Sequence, residues 1–395
     1  MSLSHPLPSF HEITVKSLLR RFRRIDSWFI AKAGLNFYRG CAHDCAYCDG
    51  RAEKYGVSGD FGADVSVKSN AIEILRGELG AAEASQAELW PQKRPWIRAD
   101  LAGGFVMVGG GVGDSYQPVE AKALAARRAL ELFEELSVPV HILTKSALVL
   151  RDADVIERIS RKAGALVSFS ISSSEDSIGS ELEPGASLPS RRLSALAALR
   201  RRGIAGGVFL LPVIPFISDS PDSIEKSVDA AVAAGAQYLL FGGMTLKPGR
   251  QREHFLSAVG SRRPGLPEKI GAMYPTDGKD AKWGNAASTY HARIRRIFGD
   301  CSRRRLVPPR IPRQLFSGTV EGIDLIVVLL DQIHAMLEME GRSSPFGREA
   351  SRIARLPSPL DPDLLAGSAA PLVREILTTG TCSLYESLMP PCPVT

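Results

Sequence analysis

With 395 residues, 44% of them hydrophobic, the chain can bury a large core and carry an appendage, which excludes a disordered or fibrous class. The net charge of +6 is modest but clustered in Lys16 to Arg24, Arg200 to Arg202 and Arg293 to Arg313, which leaves open both an anionic partner and solvated helix faces. Six cysteines are too few for a disulfide scaffold, and no stretch approaches the roughly 20 apolar residues of a membrane span. The N-terminus also lacks an apolar leader, so a cytoplasmic protein without a membrane partner is expected.

In chain order, residues 1–26 read as a basic N-terminal arm. Residues 27–250 then alternate short runs of Val, Ile, Leu and Phe with segments of helical period. The spacing predicts strands at Trp28 to Ala33, Phe105 to Gly109, Val140 to Thr144, Leu166 to Ile171, Ala205 to Val213 and Tyr238 to Met244. Between them, stripes such as Val119, Ala123, Ala126, Leu130 and Phe133 predict helices covering a parallel sheet. An open doubly wound sheet and a partial TIM-type barrel fit this pattern equally, and both gather chemistry at the carboxyl ends of the strands. Residues 50–104 are an insertion with a helix around Ser69 to Gly80 and a polar stretch holding Trp90 and Trp96. Residues 251–395 read as a helical C-terminal region, with helices at Ala286 to Phe298 and Val320 to Met339 and a loosely patterned last ~40 residues.

After the first predicted strand comes NFYRGCAHDCAYCD, which spaces Cys41, Cys45 and Cys48 as CxxxCxxC. Three thiolates on a four-iron cluster leave one iron open for a substrate or cofactor. The competing reading is a structural zinc with His43 or a distant residue as fourth ligand. Chelation through His43, between two of the cysteines, is cramped, and there is no second CxxC pair. Cys301, Cys382 and Cys392 are widely spaced and read as unpaired thiols.

CxxxCxxC with Tyr47 before the last cysteine resembles the signature of the radical S-adenosylmethionine (radical SAM) superfamily. FYRGCAHDCAYC, VKSNAIEILRGEL, GDSYQPVE, TKSALVLRD, SFSISS, EPGASLPSRRL and LPVIPFISD are similar, in the same order, to the spore photoproduct lyase-like branch, often labelled DNA repair photolyases. The resemblance implies an α/β fold, a partial (β/α)6 barrel with a helical C-terminal extension. It implies a 4Fe-4S cluster held by Cys41, Cys45 and Cys48, and S-adenosylmethionine across the strand tips. Reductive cleavage to a 5′-deoxyadenosyl radical, fed by a reductant such as a flavodoxin or ferredoxin, would then abstract hydrogen from a substrate.

Each cofactor contact so implied has an ordinary structural counterpart. Gly109, Gly110 and Gly111 suit either a contact to the methionine amino group or a tight strand-to-helix turn. Asp114 and Ser115 suit the ammonium or a helix N-cap. Lys145 is similar in position to a cofactor-contacting lysine, and otherwise is a solvated strand-end cation. Ser168 and Ser170 share one side of a strand, from which both reach the ribose or carboxylate if that side is the barrel interior. Arg192 is the motif's match for a fork on the carboxylate, with Arg191 equal in geometry. The Tyr47 backbone is assigned to the adenine.

One departure bears on function. The branch's lyase returns hydrogen from a cysteine just before the GDSYQP segment, where this chain has Gly109 to Gly113 with no thiol. Tyr116 is the substitute or a packing residue. A nucleic-acid base or lesion is the leading expected substrate, modification of a peptide or small molecule the alternative, and a non-catalytic zinc-stabilised nucleic-acid-binding protein the reading from another class.

Overall fold

The computed structural model describes residues 9–57, 59–80, 103–110, 112–356, 360 and 367–392. Gly111, Trp90, Trp96 and the insertion between 81 and 102 lie outside the described residues. The centre is a curled sheet of seven strands. In chain order its members are β2 (Arg20–Asp26), β3 (Ala31–Leu35), β6 (Phe105–Val108), β7 (Val140–Thr144), β8 (Ala165–Ile171), β9 (Ala205–Val213) and β10 (Leu239–Gly243). The spatial order is β10-β9-β8-β7-β6-β3-β2, and every pairing is parallel except β2 with β3. From β3 to β10 the order follows the chain without reversing, which excludes the doubly wound alternative, and the edges β2 and β10 do not pair, so the barrel is partial. All residues of β6, β7 and β8 are buried, as expected for parallel strands covered on both faces.

All six predicted strands are present, the first beginning three residues later than the apolar run suggested, at Ala31. The basic arm is the main difference. Arg20–Asp26 is an antiparallel edge strand of the same sheet, with Ile25 buried and most of its arginines facing outward. A smaller sheet, β1 (Ser9–Ile13), β5 (Asp64–Lys68) and β4 (Tyr38–Arg39), is paired in the order β1-β5-β4 and sits beside the cysteine loop. Sequence patterning missed it because these strands are short and polar.

Helices cover the outside, and the predicted stripe of Ala126, Leu130 and Phe133 is the buried face of Ala125–Leu136. The C-terminal region is not a separate appendage. Helix Gly322–Met339 buries Leu325, Ile326, Leu329 and Ile333 in one apolar cluster with Phe105, Leu166, Phe209 and Leu240 of the barrel strands. Nor are the last residues loose where described, because Ala370–Thr379 and Ser383–Leu388 add Val373, Ile376 and Tyr385 to that cluster. No helix among the described residues is long and apolar enough to cross a membrane.

Candidate active site

The cysteine loop follows β4 and is held by its backbone. Cys41 N donates to Phe61 O at 2.9 Å and Ala46 N to Leu182 O at 2.8 Å. Gln117 clamps it from both sides, its Oε1 accepting from Ala42 N at 2.8 Å and its Nε2 donating to Gly40 O at 3.2 Å. Arg51 pairs with Asp44 and reaches Cys45 O at 3.4 Å. The loop's shape is therefore built without using its sulfur atoms.

All three thiols face one cavity of about 290 Å³. The rest of its wall comes from the carboxyl ends of the strands: Gly110 after β6, Thr144 and Lys145 at β7, Ser170 on β8, Leu211 and Pro212 on β9, and Gly243 to Thr245 at β10. Burial raises the pKa of each thiol, so without a bound cation the sulfurs stay protonated. His43 is buried, which lowers its pKa, and its Nδ1 lies 3.4 Å from Asp114 Oδ2. Among the described residues, no three His, Cys, Asp or Glu side chains are gathered around a point where one ion could sit.

Beneath the cavity lies a buried polar network. Tyr47 OH and Arg192 both donate to the carboxylate of Glu183, and Ser172 Oγ donates to Tyr47 OH at 2.9 Å. Lys145 Nζ is 2.5 Å from Ser170 Oγ, 3.9 Å from Glu183 and 5.7 Å from the centre of the Tyr47 ring. Burial works against the Glu183 charge, but Arg192 and Lys145 outweigh it and hold the carboxyl at about 2.

Of the residues singled out in the sequence, Cys41, Cys45, Cys48, Tyr47, Gly110, Asp114, Lys145 and Ser170 line this cavity. Gly109, Ser115, Ser168 and Arg192 do not. Gly109 takes φ +82°, and a Cβ there would lie 2.7 Å from Leu143 O, so the turn demands glycine. Ser115 is buried, and its hydroxyl has no hydrogen-bond partner among the described residues. Ser168 does point into the barrel, but its hydroxyl is one layer down, bonded to His141 Nε2 at 2.7 Å and Tyr238 OH at 2.8 Å. Arg192 is fully buried and its guanidinium is consumed by Ser187 O at 2.6 Å, Ser170 O at 2.8 Å and Glu183. These bonds tie it to the wall of the cavity, and Arg191 is exposed. Asp114 caps no helix. It ties the β6 and β7 tips together, accepting from Tyr116 N at 2.7 Å, Thr144 Oγ1 at 2.8 Å and Lys145 N at 2.7 Å. The Tyr47 carbonyl is taken by Gln251 Nε2 at 3.1 Å. Tyr116 is buried away from the cavity, donating to Asp152 at 3.1 Å, which is the packing role.

Sequence reasoning missed Asp49, Thr245 and Lys247. Lys247 Nζ pairs with Asp49, which also accepts from Tyr55 OH at 2.7 Å and Thr245 Oγ1 at 3.1 Å. Thr245 and Lys247 follow β10 directly, so position at a strand's carboxyl end was the available signal.

Residues 35–224 match the family model described as the Radical SAM superfamily. This chain carries a radical SAM superfamily domain. An uncharacterized protein of Mycobacterium tuberculosis is 27% identical over 271 residues, covering 67% of this chain and 74% of its own. Another, from Methanocaldococcus jannaschii, is 27% identical over 227 residues, covering 57% and 75%. Among solved structures, spore photoproduct lyase complexed with dinucleoside spore photoproduct aligns at TM-score 0.51 and 15% identity, covering 78% of this chain and 80% of that one. A point mutant of the same lyase gives 0.51 and 17% over the same shares. Those likenesses show the fold.

Radical SAM enzymes generally use a 4Fe-4S cluster and S-adenosylmethionine, and the donor set of this radical SAM domain fits the cluster. Each thiolate of a cluster binds its own iron, so the sulfurs surround a volume. Three cysteines lining one cavity supply the three thiolates that such a cluster takes from the protein. Gly185 is fitted to the loop as well: its N–H donates to His43 O at 3.0 Å, and an added Cβ would lie 1.9 Å from Ala42 O. Gly185→Ala is therefore expected to push the cysteine loop outward and lower the iron bound after anaerobic reconstitution severalfold, with the circular dichroism spectrum unchanged. Full iron loading in the variant would show that the loop has room.

Proposed function

We propose that this chain is a radical SAM enzyme in which Cys41, Cys45 and Cys48 hold a 4Fe-4S cluster and S-adenosylmethionine occupies the adjoining cavity. The observation that carries this reading is the meeting of three buried thiols with five strand ends around about 290 Å³. Bound there, the two groups supply reductive cleavage of the sulfonium to a 5′-deoxyadenosyl radical that abstracts hydrogen from a substrate. The chain's own residues shape and charge the site. Lys145, next to Ser170, places a cation where a carboxylate-bearing ligand would lie. Glu183, charged and held by Arg192 and Tyr47, fixes the wall behind it. Asp49 and Lys247 brace the far side. Leu211, Pro212 and Met244 give part of the wall an apolar lining.

The basic clusters and the fold shared with a lyase seen with a dinucleoside photoproduct favour a nucleic-acid base or lesion as substrate. Modification of a peptide or small molecule is the second reading, favoured by the glycines where that lyase branch places its hydrogen-returning thiol. Lesion reversal by the same route is not available here. Anaerobic incubation with reductant, S-adenosylmethionine and deuterium-labelled candidates tests the assignment. Deuterium in 5′-deoxyadenosine identifies the substrate, and transfer from a peptide or metabolite but not from oligonucleotides would overturn the nucleic-acid choice.

A further inference from the structure

A second, larger cleft of about 840 Å³ runs along the open seam of the half-barrel, between β2, the end of β10 and helices Ser288–Arg304 and Gly322–Met339. Its walls carry Arg20, Arg24, Arg295, Arg310, His291 and His334. The acids in it are engaged: Asp331 by Arg24, Glu338 by Arg295 at 2.5 Å, and Asp26 by the backbone N–H groups of Trp28 at 2.8 Å and Phe29 at 3.2 Å.

Arg310 is not engaged in this way. It is only 7% exposed, its hydrogen bond among the described residues goes to the neighbouring Pro309 carbonyl at 2.9 Å, and it forms no ion pair there. Its guanidinium lies 5.1 Å from the centre of the Trp28 ring, which fixes it without neutralising it. Two more polar atoms of the lining, Arg24 Nε and His334 Nδ1, are buried without a partner among the described residues. Glu338 and Asp331 act on Arg310 only from a distance, and a cation desolvated without a close ion pair is costly, as are buried unsatisfied nitrogens, unless a ligand completes them.

We infer that the seam cleft binds a phosphoryl-type oxyanion on Arg310, with Arg24 and His334 supplying further contacts. Several acceptor oxygens are needed to meet so many donors, which a phosphoryl or pyrophosphoryl group provides. The cleft exceeds one phosphate in size, so the anion is part of a larger molecule. Gly243 lines both this cleft and the thiol cavity, and His291 packs on it, a Cβ there lying 2.7 Å from the ring. The molecule held by its phosphoryl end can therefore extend toward the thiols, a step that rests on reading that cavity as the active site.

The test is calorimetric titration of the full chain with inorganic pyrophosphate at constant ionic strength, which needs no cluster and so fails or succeeds independently of that reading. Saturable binding is expected, weakened at least about tenfold by Arg310→Gln. Arg161→Ala, at an exposed helix position, is expected to bind like the natural chain. Should Arg310→Gln not fold, Ala335→Glu, which puts a carboxylate in the same wall, is expected to abolish binding instead. A parallel titration with a single-stranded oligonucleotide separates the sources: a polymer site binds it more tightly than pyrophosphate and with a steep salt dependence, a small-molecule site does not. Equal pyrophosphate affinity in Arg310→Gln and the natural chain, or no binding of either probe, would overturn the inference.

Discussion

Cys45→Ala is expected to abolish formation of 5′-deoxyadenosine from S-adenosylmethionine and to strip most of the iron from the protein. With one thiol gone, two remain to hold a cluster whose irons each need a ligand. The loss should be chemical and not structural, because the loop is fixed by Gln117, Leu182, Phe61 and Arg51 through backbone groups that the substitution leaves in place. Cys301→Ala is the matched control, since Cys301 is also buried but packs in a C-terminal helix away from the cavity. Turnover per chain and iron per chain, measured together, check the prediction. Unchanged turnover in Cys45→Ala would refute the assignment of that thiol.

Arg192→Met is expected to be the most destabilising single change near the site, by about 3–5 kcal/mol, because it leaves the Glu183 carboxylate buried without its main counter-charge. Exposed Arg191→Met should stay within about 0.5 kcal/mol. The pH dependence has a definite sign. Glu183 has its carboxyl depressed to about 2 in the folded chain from an ordinary 4.5, so the folded state binds fewer protons there than the unfolded one. Its contribution is present in full above the unfolded pKa and is lost as pH falls toward the folded one. In Arg192→Met burial dominates, the carboxyl rises, and the acid-side loss disappears. Urea unfolding midpoints at pH 7 and pH 4 check both statements, and a variant as stable as the natural chain at pH 7 would remove the network from the account.

The parallel strands were legible because β6 to β9 are mostly apolar and the chain between them carries a helical stripe. β2 was not, because a strand whose outward positions are arginine reads as a charged arm until a partner, here β3, gives its Ile25 a face to bury. The site was legible to the same depth. Period two placed Ser168 and Ser170 on one side, yet two residues of rise, about 6.6 Å, put only Ser170 at the cavity. Gln117, Glu183 and Arg192 all stand in segments whose resemblance was plain, but what each one holds is set by tertiary contacts over 9 to 77 residues of sequence separation. Lys247 offered only its position after the last strand as a signal, and its partner Asp49 was set by the fold.

The central claim is most directly tested by purifying the full chain without oxygen, counting metal and sulfide, then adding reductant and S-adenosylmethionine. The account predicts a brown protein with about four irons per chain that forms 5′-deoxyadenosine and methionine. A colourless protein with one zinc per chain and no nucleoside product would contradict it.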